Sequence, residues 1–180
     1  MADLSLATVE RYTSGRLAAD AKETKRLLSA GLSAARRFCG WHVTYIEDDE
    51  VTLDGPGTPL LVLPTLRLVE LTSVVENDVE LDVATELHVS PRGLVRKRSG
   101  AYWSGNYGAI VATMAHGFDA ADDFNAAVLS FVDRTSLAAT GGRPKVVGPF
   151  QYDSEAMADG SAFSVAERSL LERFRLESAA

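Results

Sequence analysis

The side chains best suited to chemistry are three histidines, His42, His88 and His116, a single cysteine, Cys39, and a run of four acids, Glu47-Asp48-Asp49-Glu50. Imidazoles combined with a carboxylate from Asp48, Asp49 or Asp119 make the donor set of a zinc-type site. No two histidines stand at a ligand-pair spacing such as His-x3-His, and His116 closes an apolar run while His42 follows Trp41. Both therefore read as structural histidines. Cys39 could serve as a nucleophile beside a histidine, but it falls on the apolar side of a helical pattern, which predicts a buried core thiol. The acidic run lacks the alternating oxygens and closing glutamate of a calcium loop. It reads as a solvated hairpin tip ahead of Val51-Thr52-Leu53-Asp54-Gly55. Neither Gly55-Pro56-Gly57 nor Ser104-Gly105-Asn106-Tyr107-Gly108 has the Gly-Lys-Ser/Thr ending of a phosphate loop, and Gly-x-Ser-x-Gly is absent. No catalytic, cofactor-binding or metal site is expected. The enzymatic alternative is a small-molecule-binding or hydrolytic domain with a pocket near Trp41, His42 and His116, which a histidine paired with a buried carboxylate would support.

A second constellation points to recognition. Arg92, Arg96, Lys97 and Arg98 cluster in one hairpin, followed by Tyr102 and Trp103. Basic residues interleaved with aromatics suit nucleic acid or an acidic protein face, and a solubilising loop is the plainer reading. The chain carries 18 Lys+Arg against 25 Asp+Glu, a net charge of −7, which argues against a free-standing binder held by phosphate contacts. A partner contact stays open.

These residues are positioned by an alternation of helical and extended segments. Leu28, Leu32, Ala35 and Cys39 share one helical face over residues 20–39, widened by Leu27, Ala34 and Phe38, and Gly40 is a natural stop. A shorter helix is predicted at 5–12. Residues 42–116 read as strands: Leu60-Leu61-Val62-Leu63 between Pro59 and Pro64, Leu66 to Val75, Leu87-His88-Val89 and Leu94-Val95 around a Ser90-Pro91-Arg92-Gly93 turn, and Ala109 to His116. Helical period returns over 120–139 with Phe124, Val128, Phe131, Thr135 and Ala138 on one face, and Asp119 or Asp122 as cap. The 180 residues thus predict an α+β fold: amphipathic helices packed on a small antiparallel sheet with hairpins, residues 1–140 forming the core.

Residues 141–180 differ. A polar, Gly-containing stretch to Gly160, with one apolar piece from Val146 to Phe150, leads to Ser164-Val165-Ala166-Glu167, a capping-box sequence. The helix it opens, 164–175, brings Leu170, Leu171 and Phe174 to one side. A helix this short is marginal alone in water, so it is read as an arm that docks on a surface, its own domain or a partner. No apolar run nears the ~20 residues of a membrane span, and Met1-Ala2-Asp3-Leu4 does not begin a signal peptide. One cysteine excludes an internal disulfide and fits a reducing compartment.

Several motifs, in order, resemble the head-to-tail adaptor (neck) proteins of long-tailed, siphovirus-type phages of actinobacteria. They are Arg36-Arg37-Phe38-Cys39-Gly40-Trp41-His42-Val43; Thr58-Pro59-Leu60-Leu61-Val62-Leu63-Pro64 with Leu71-Thr72-Ser73-Val74; Ala115-His116-Gly117-Phe118 followed by Phe124-Asn125-Ala126-Ala127-Val128; and Phe163-Ser164-Val165-Ala166-Glu167-Arg168 with Leu171-Glu172-Arg173-Phe174. The likeness covers about residues 5–176; Asp122 stands where relatives often carry Pro at the helix start. It implies a non-enzymatic virion protein without cofactors, made in the host bacterial cytoplasm and incorporated in the neck. It also implies a ring, usually of twelve copies, that binds the portal protein above and a stopper or tail-completion protein below, with double-stranded DNA passing through its channel without tight binding. On this reading Ser164, Glu167, Leu170, Leu171 and Phe174 dock on the portal, and Arg92, Arg96, Lys97, Arg98 and Trp103 face the portal or the DNA channel. Another neck component, such as a stopper, is the alternative within the same class.

Overall fold

A computed structural model describes residues 4–139 and 163–176. The expected Gly141–Gly160 connector and its Val146–Phe150 piece lie outside the described residues. The α+β class holds, but the chain divides into two compact units: one of helices, residues 4–40 with 121–139 and 163–176, and one of strands, residues 41–120. No helix among the described residues is long and apolar enough to cross a membrane.

The helical unit contains α1 (Leu6–Tyr12), α2 (Lys22–Cys39), α4 (Asp122–Ala139) and α5 (Val165–Glu172). Ser5 caps α1 by accepting from the Thr8 N–H. Helix α2 turns Thr24, Leu27, Leu28, Gly31, Ala35 and Cys39 inward and stops at Gly40, whose φ of 80° is left-handed. Facing it, α4 buries Phe124, Ala127, Val128, Leu129 and Val132. At Gly31 of α2 an added Cβ would lie 3.0 Å from the Phe131 ring and 3.3 Å from Val128 on α4. Arg16, after α1, is ion-paired to Asp133 and donates to Ser136 Oγ on α4 at 2.6 Å.

The strand unit holds two antiparallel sheets. One has the order β1-β7-β3-β4 (Ile46–Leu53, Ile110–His116, Leu68–Glu76, Val79–Leu81), the other β2-β6-β5 (Leu60–Val62, Leu94–Lys97, Leu87–Val89). Strand β7 is interior, paired with β1 on one side and β3 on the other, and is mostly apolar apart from Thr113 and His116. The β3–β4 hairpin turns on Asn77 and Asp78, both with positive φ, the requirement of a two-residue I′ turn. A single turn, α3 (Val83–Glu86), capped by Asp82, links β4 to β5. Both sheets contribute to one core of Leu61, Leu63, Leu71, Val74, Leu87, Val95, Trp103, Ile110 and Met114.

Candidate functional site

The C-terminal helix forms as expected, and its capping box is complete. Glu167 N–H donates to Ser164 Oγ at 3.3 Å, and Ser164 N–H donates to Glu167 Oε2 at 2.7 Å. Its apolar side is already seated within its own unit. Leu171 is fully buried and Phe174 nearly so, while Leu170 is half-buried. Phe174 meets Phe124 edge-on at 6.2 Å, Phe163 packs against Phe38 and Phe131, and Leu176 N–H donates to Cys39 O. The physical reason is the apolar face that α2 and α4 jointly present, which the sequence pattern of either helix alone does not reveal. Glu167, expected among the portal-docking residues, is buried within its own unit: Ser130 donates to it at 2.9 Å and Arg134 to both its oxygens. Burial pushes its carboxyl up, but the donors from Arg134, Ser164 N–H and Ser130 outweigh that and hold it below the ordinary glutamate range.

In the basic hairpin the expected residues separate into two groups. Arg92, Arg96 and Arg98 are exposed. Lys97 is turned inward onto Glu76 at 2.5 Å and lies 4.8 Å over the Trp103 ring, which is 2% exposed. Trp103 is thus a core residue rather than a contact, because the loop after β6 is tied down by Trp103 N–H to Thr58 O and Ser104 N–H to Glu76 Oε1. On the outer face of this sheet Leu60, Arg96 and His88 stand in register, beside Val62 opposite Leu94. Leu60, His88, Val89, Ser90, Leu94 and Arg96 line a shallow groove there.

Cys39 is buried and its thiol is pushed up to about 12 by burial and by the charge of Glu172, so it is no thiolate nucleophile.

The acidic run is a correction. It lies inside β1, not at a hairpin tip. Ile46 pairs with His116 and Asp49 with Met114, so three steps on β1 match two on β7. The extra residue is a β-bulge, with Asp48 at φ 53°. Without it residues 46 and 49 would point to opposite faces. With it Asp49 turns to the face of Met114 and His116, and its Oδ2 lies 3.0 Å from His116 Nε2.

His42 reaches the same place from a strained turn. Thr44 N–H donates to His42 O around Val43, buried and at φ 69°, the rare form of γ-turn for a β-branched residue. Gly117, at φ 108°, stitches this turn to the end of β7. Any Cβ there would come 2.4 Å from Thr44 O, and Phe118 N–H donates to Val43 O. The His42 and His116 rings meet perpendicular at 4.3 Å, with Trp41 stacked on His116. Far apart in sequence, His42, Asp49 and His116 are brought together by the bulge and the turn.

No protein-family model matches this chain, and no curated protein matches it. Among solved structures it is similar to a chain in the neck of an empty GTA particle computed with C6 symmetry, with TM-score 0.60 and 15% identity over 98% of this chain and 91% of that one. It is also similar to a chain in the neck of a native GTA particle computed with C12 symmetry, with TM-score 0.55 and 12% identity over 100% and 95%. The chain therefore shares its fold, end to end, with particle-neck chains.

Proposed function

We propose that this chain is a non-enzymatic neck subunit of a phage-type particle: a head-to-tail adaptor that assembles as a ring, of twelve copies, beneath the portal. The ring continues the DNA channel and receives a stopper or tail-completion protein. The observation that carries this reading is the end-to-end likeness to neck chains in particles computed with C6 and C12 symmetry. The ordered motifs of the sequence support it independently. A formal charge of −7 per copy suits a channel through which duplex DNA slides, since a grip on many phosphates would hold it in place.

The outer face of the β2-β6-β5 sheet best suits a portal contact: exposed Arg96 stands opposite Leu60 and His88 beside exposed Val62 and Leu94, and exposed Arg92 and Arg98 flank β6 in sequence. A basic rim around aliphatic side chains matches a partner with an acidic, partly apolar face. Docking of α5 on the portal through Leu171 and Phe174 would require the helix to leave its seat. In place, α5 offers a partner only its outer side, Val165 and part of Leu170. A second reading is another neck component, such as a stopper or tail-completion protein, since C6 symmetry accommodates six copies as well as twelve.

Purified portal mixed with this chain and examined by negative stain and mass photometry tests the proposal. The adaptor reading expects an added ring with the mass of twelve copies. Six copies would favour the reading as another neck component, and no added mass on portal would overturn the adaptor role.

A further inference from the structure

We infer that His42, Asp49 and His116 form a binding site for a divalent transition metal of zinc type, built wholly within the strand unit. Each residue offers one ligand atom, and all three atoms lie within 4.8 Å of one another. Ligands at about 2.0–2.1 Å from a tetrahedral ion stand about 3.3–3.4 Å apart, so side-chain rotation of His42 or Asp49 is needed to close the set. The 3.0 Å between Asp49 Oδ2 and His116 Nε2 already suits two neighbouring ligands. Two imidazoles are borderline donors, and beside one hard carboxylate they favour zinc, cobalt or nickel over calcium or magnesium.

Four further observations point to a site rather than to chance proximity. His116 is 1% exposed, and its Nδ1 is buried without a hydrogen-bond partner among the described residues. Nothing on Nδ1 therefore fixes the tautomer, and in the Nδ1–H form the Nε2 lone pair faces the Asp49 carboxylate, a repulsion that a cation shared by the two relieves. Two backbone irregularities, at Val43 and Asp48, deliver His42 and Asp49 to the same point, and such strain concentrates at ligand sites. Asp49 is one-third exposed, so the cluster opens to solvent on one side and has an entry path. Trp41 and Phe118 supply an apolar flank that lowers the local dielectric. Three protein ligands leave one position of a tetrahedral ion for water or for a group from another molecule. Bound there, the metal would staple the turn after α2 to β1 and to the end of β7.

The test uses the full, untagged chain stripped with a chelator and then freed of it. Zn²⁺ is titrated in competition with a chromophoric chelator, Co²⁺ is added separately for its visible d–d bands, and melting is followed with and without zinc. One Zn²⁺ per chain, a raised melting temperature and a Co²⁺ spectrum of low coordination number are expected. Asp49→Asn, nearly isosteric, and His42→Gln should each weaken Zn²⁺ by at least tenfold and abolish the melting shift, with the metal-free melt close to the parent's. His116 is left intact because its burial would confound the result. His88→Gln, at an exposed position on the other sheet, should change nothing. Absence of stoichiometric uptake at micromolar zinc, or uptake unaltered by both Asp49→Asn and His42→Gln, would overturn the assignment.

Discussion

Arg134 on α4 donates to both carboxylate oxygens of Glu167 on α5, Nη2 to Oε2 at 2.9 Å and Nε to Oε1 at 3.3 Å. The same carboxylate closes the capping box with Ser164 N–H and accepts from Ser130. One side chain thus starts a helix and fastens it to its neighbour.

Stability should therefore carry a Glu167-dependent acid limb. The carboxyl lies below its ordinary value when folded, so its contribution is fully present above about pH 4.3, the unfolded glutamate value, and is lost as pH falls through the lower folded value. Glu167→Gln should cost about 1–3 kcal/mol at pH 7, as hydrogen bonds to a charged group are removed. It should also flatten the fall in melting temperature below pH 4.5 relative to the parent. Parallel melts of both proteins from pH 7 to pH 3 check this, and identical acid limbs would contradict it.

Leu171→Ala and Phe174→Ala should each destabilise the helical unit by about 2–5 kcal/mol, the cost of a cavity in a packed core. Chemical denaturation followed by far-ultraviolet circular dichroism measures it. Both side chains are buried against their own unit, so a docking arm held in reserve for a partner is the alternative that an unchanged midpoint would revive.

Gly31 sets the approach of α2 to α4. Gly31→Ala gains about 1 kcal/mol of helix propensity but places a methyl 3.0 Å from the Phe131 ring, so its net effect should fall near zero. Gly31→Val adds two more carbons to the same crossing and should cost about 1–3 kcal/mol by overpacking. A Val variant as stable as the parent would mean the helices have room to separate.

The helices were legible because their signals are local. The 3.6-residue period, Gly40 as stop and Ser164 with Glu167 as capping box each act within a few residues. The fate of α5 was not, since it depends on a face assembled from α2 and α4, distant in sequence. Lys97 and Trp103 were read as surface groups because their neighbour, Glu76, lies on another strand. The His42–Asp49–His116 cluster was hidden for a geometric reason: strict alternation along β1 puts Asp49 on the wrong face, and only the bulge at Asp48 reverses it. A run of four acids inside a strand is a weak sign of such a bulge, since it places charge where alternation would demand an apolar residue.

The proposed portal face separates folding from assembly. Arg92, Arg96 and Arg98 are exposed. Among the described residues Arg92 has only its backbone N–H tied locally, to Ser90 Oγ, and Arg98 makes one long side-chain contact, Nη2 to Ala84 O at 3.3 Å. Surface changes of this kind usually stay within about 0.5 kcal/mol each, so Arg92→Glu, Arg96→Glu and Arg98→Glu together should leave the melting temperature close to the parent's. Lys97 and Trp103 behave oppositely: Trp103→Ala should cost about 3–5 kcal/mol, because the ring fills the core of the strand unit. If the outer sheet face meets an acidic surface of the portal, reversing three charges turns attraction into repulsion. It should then lower association with portal by at least tenfold at low salt, with the difference shrinking as salt rises. Light scattering or mass photometry of portal titrated with parent and triple variant reads this directly. A triple variant that still adds a full ring at every salt concentration would move the contact off this face. The next place to test would then be the exposed side of α5, through Val165→Asp.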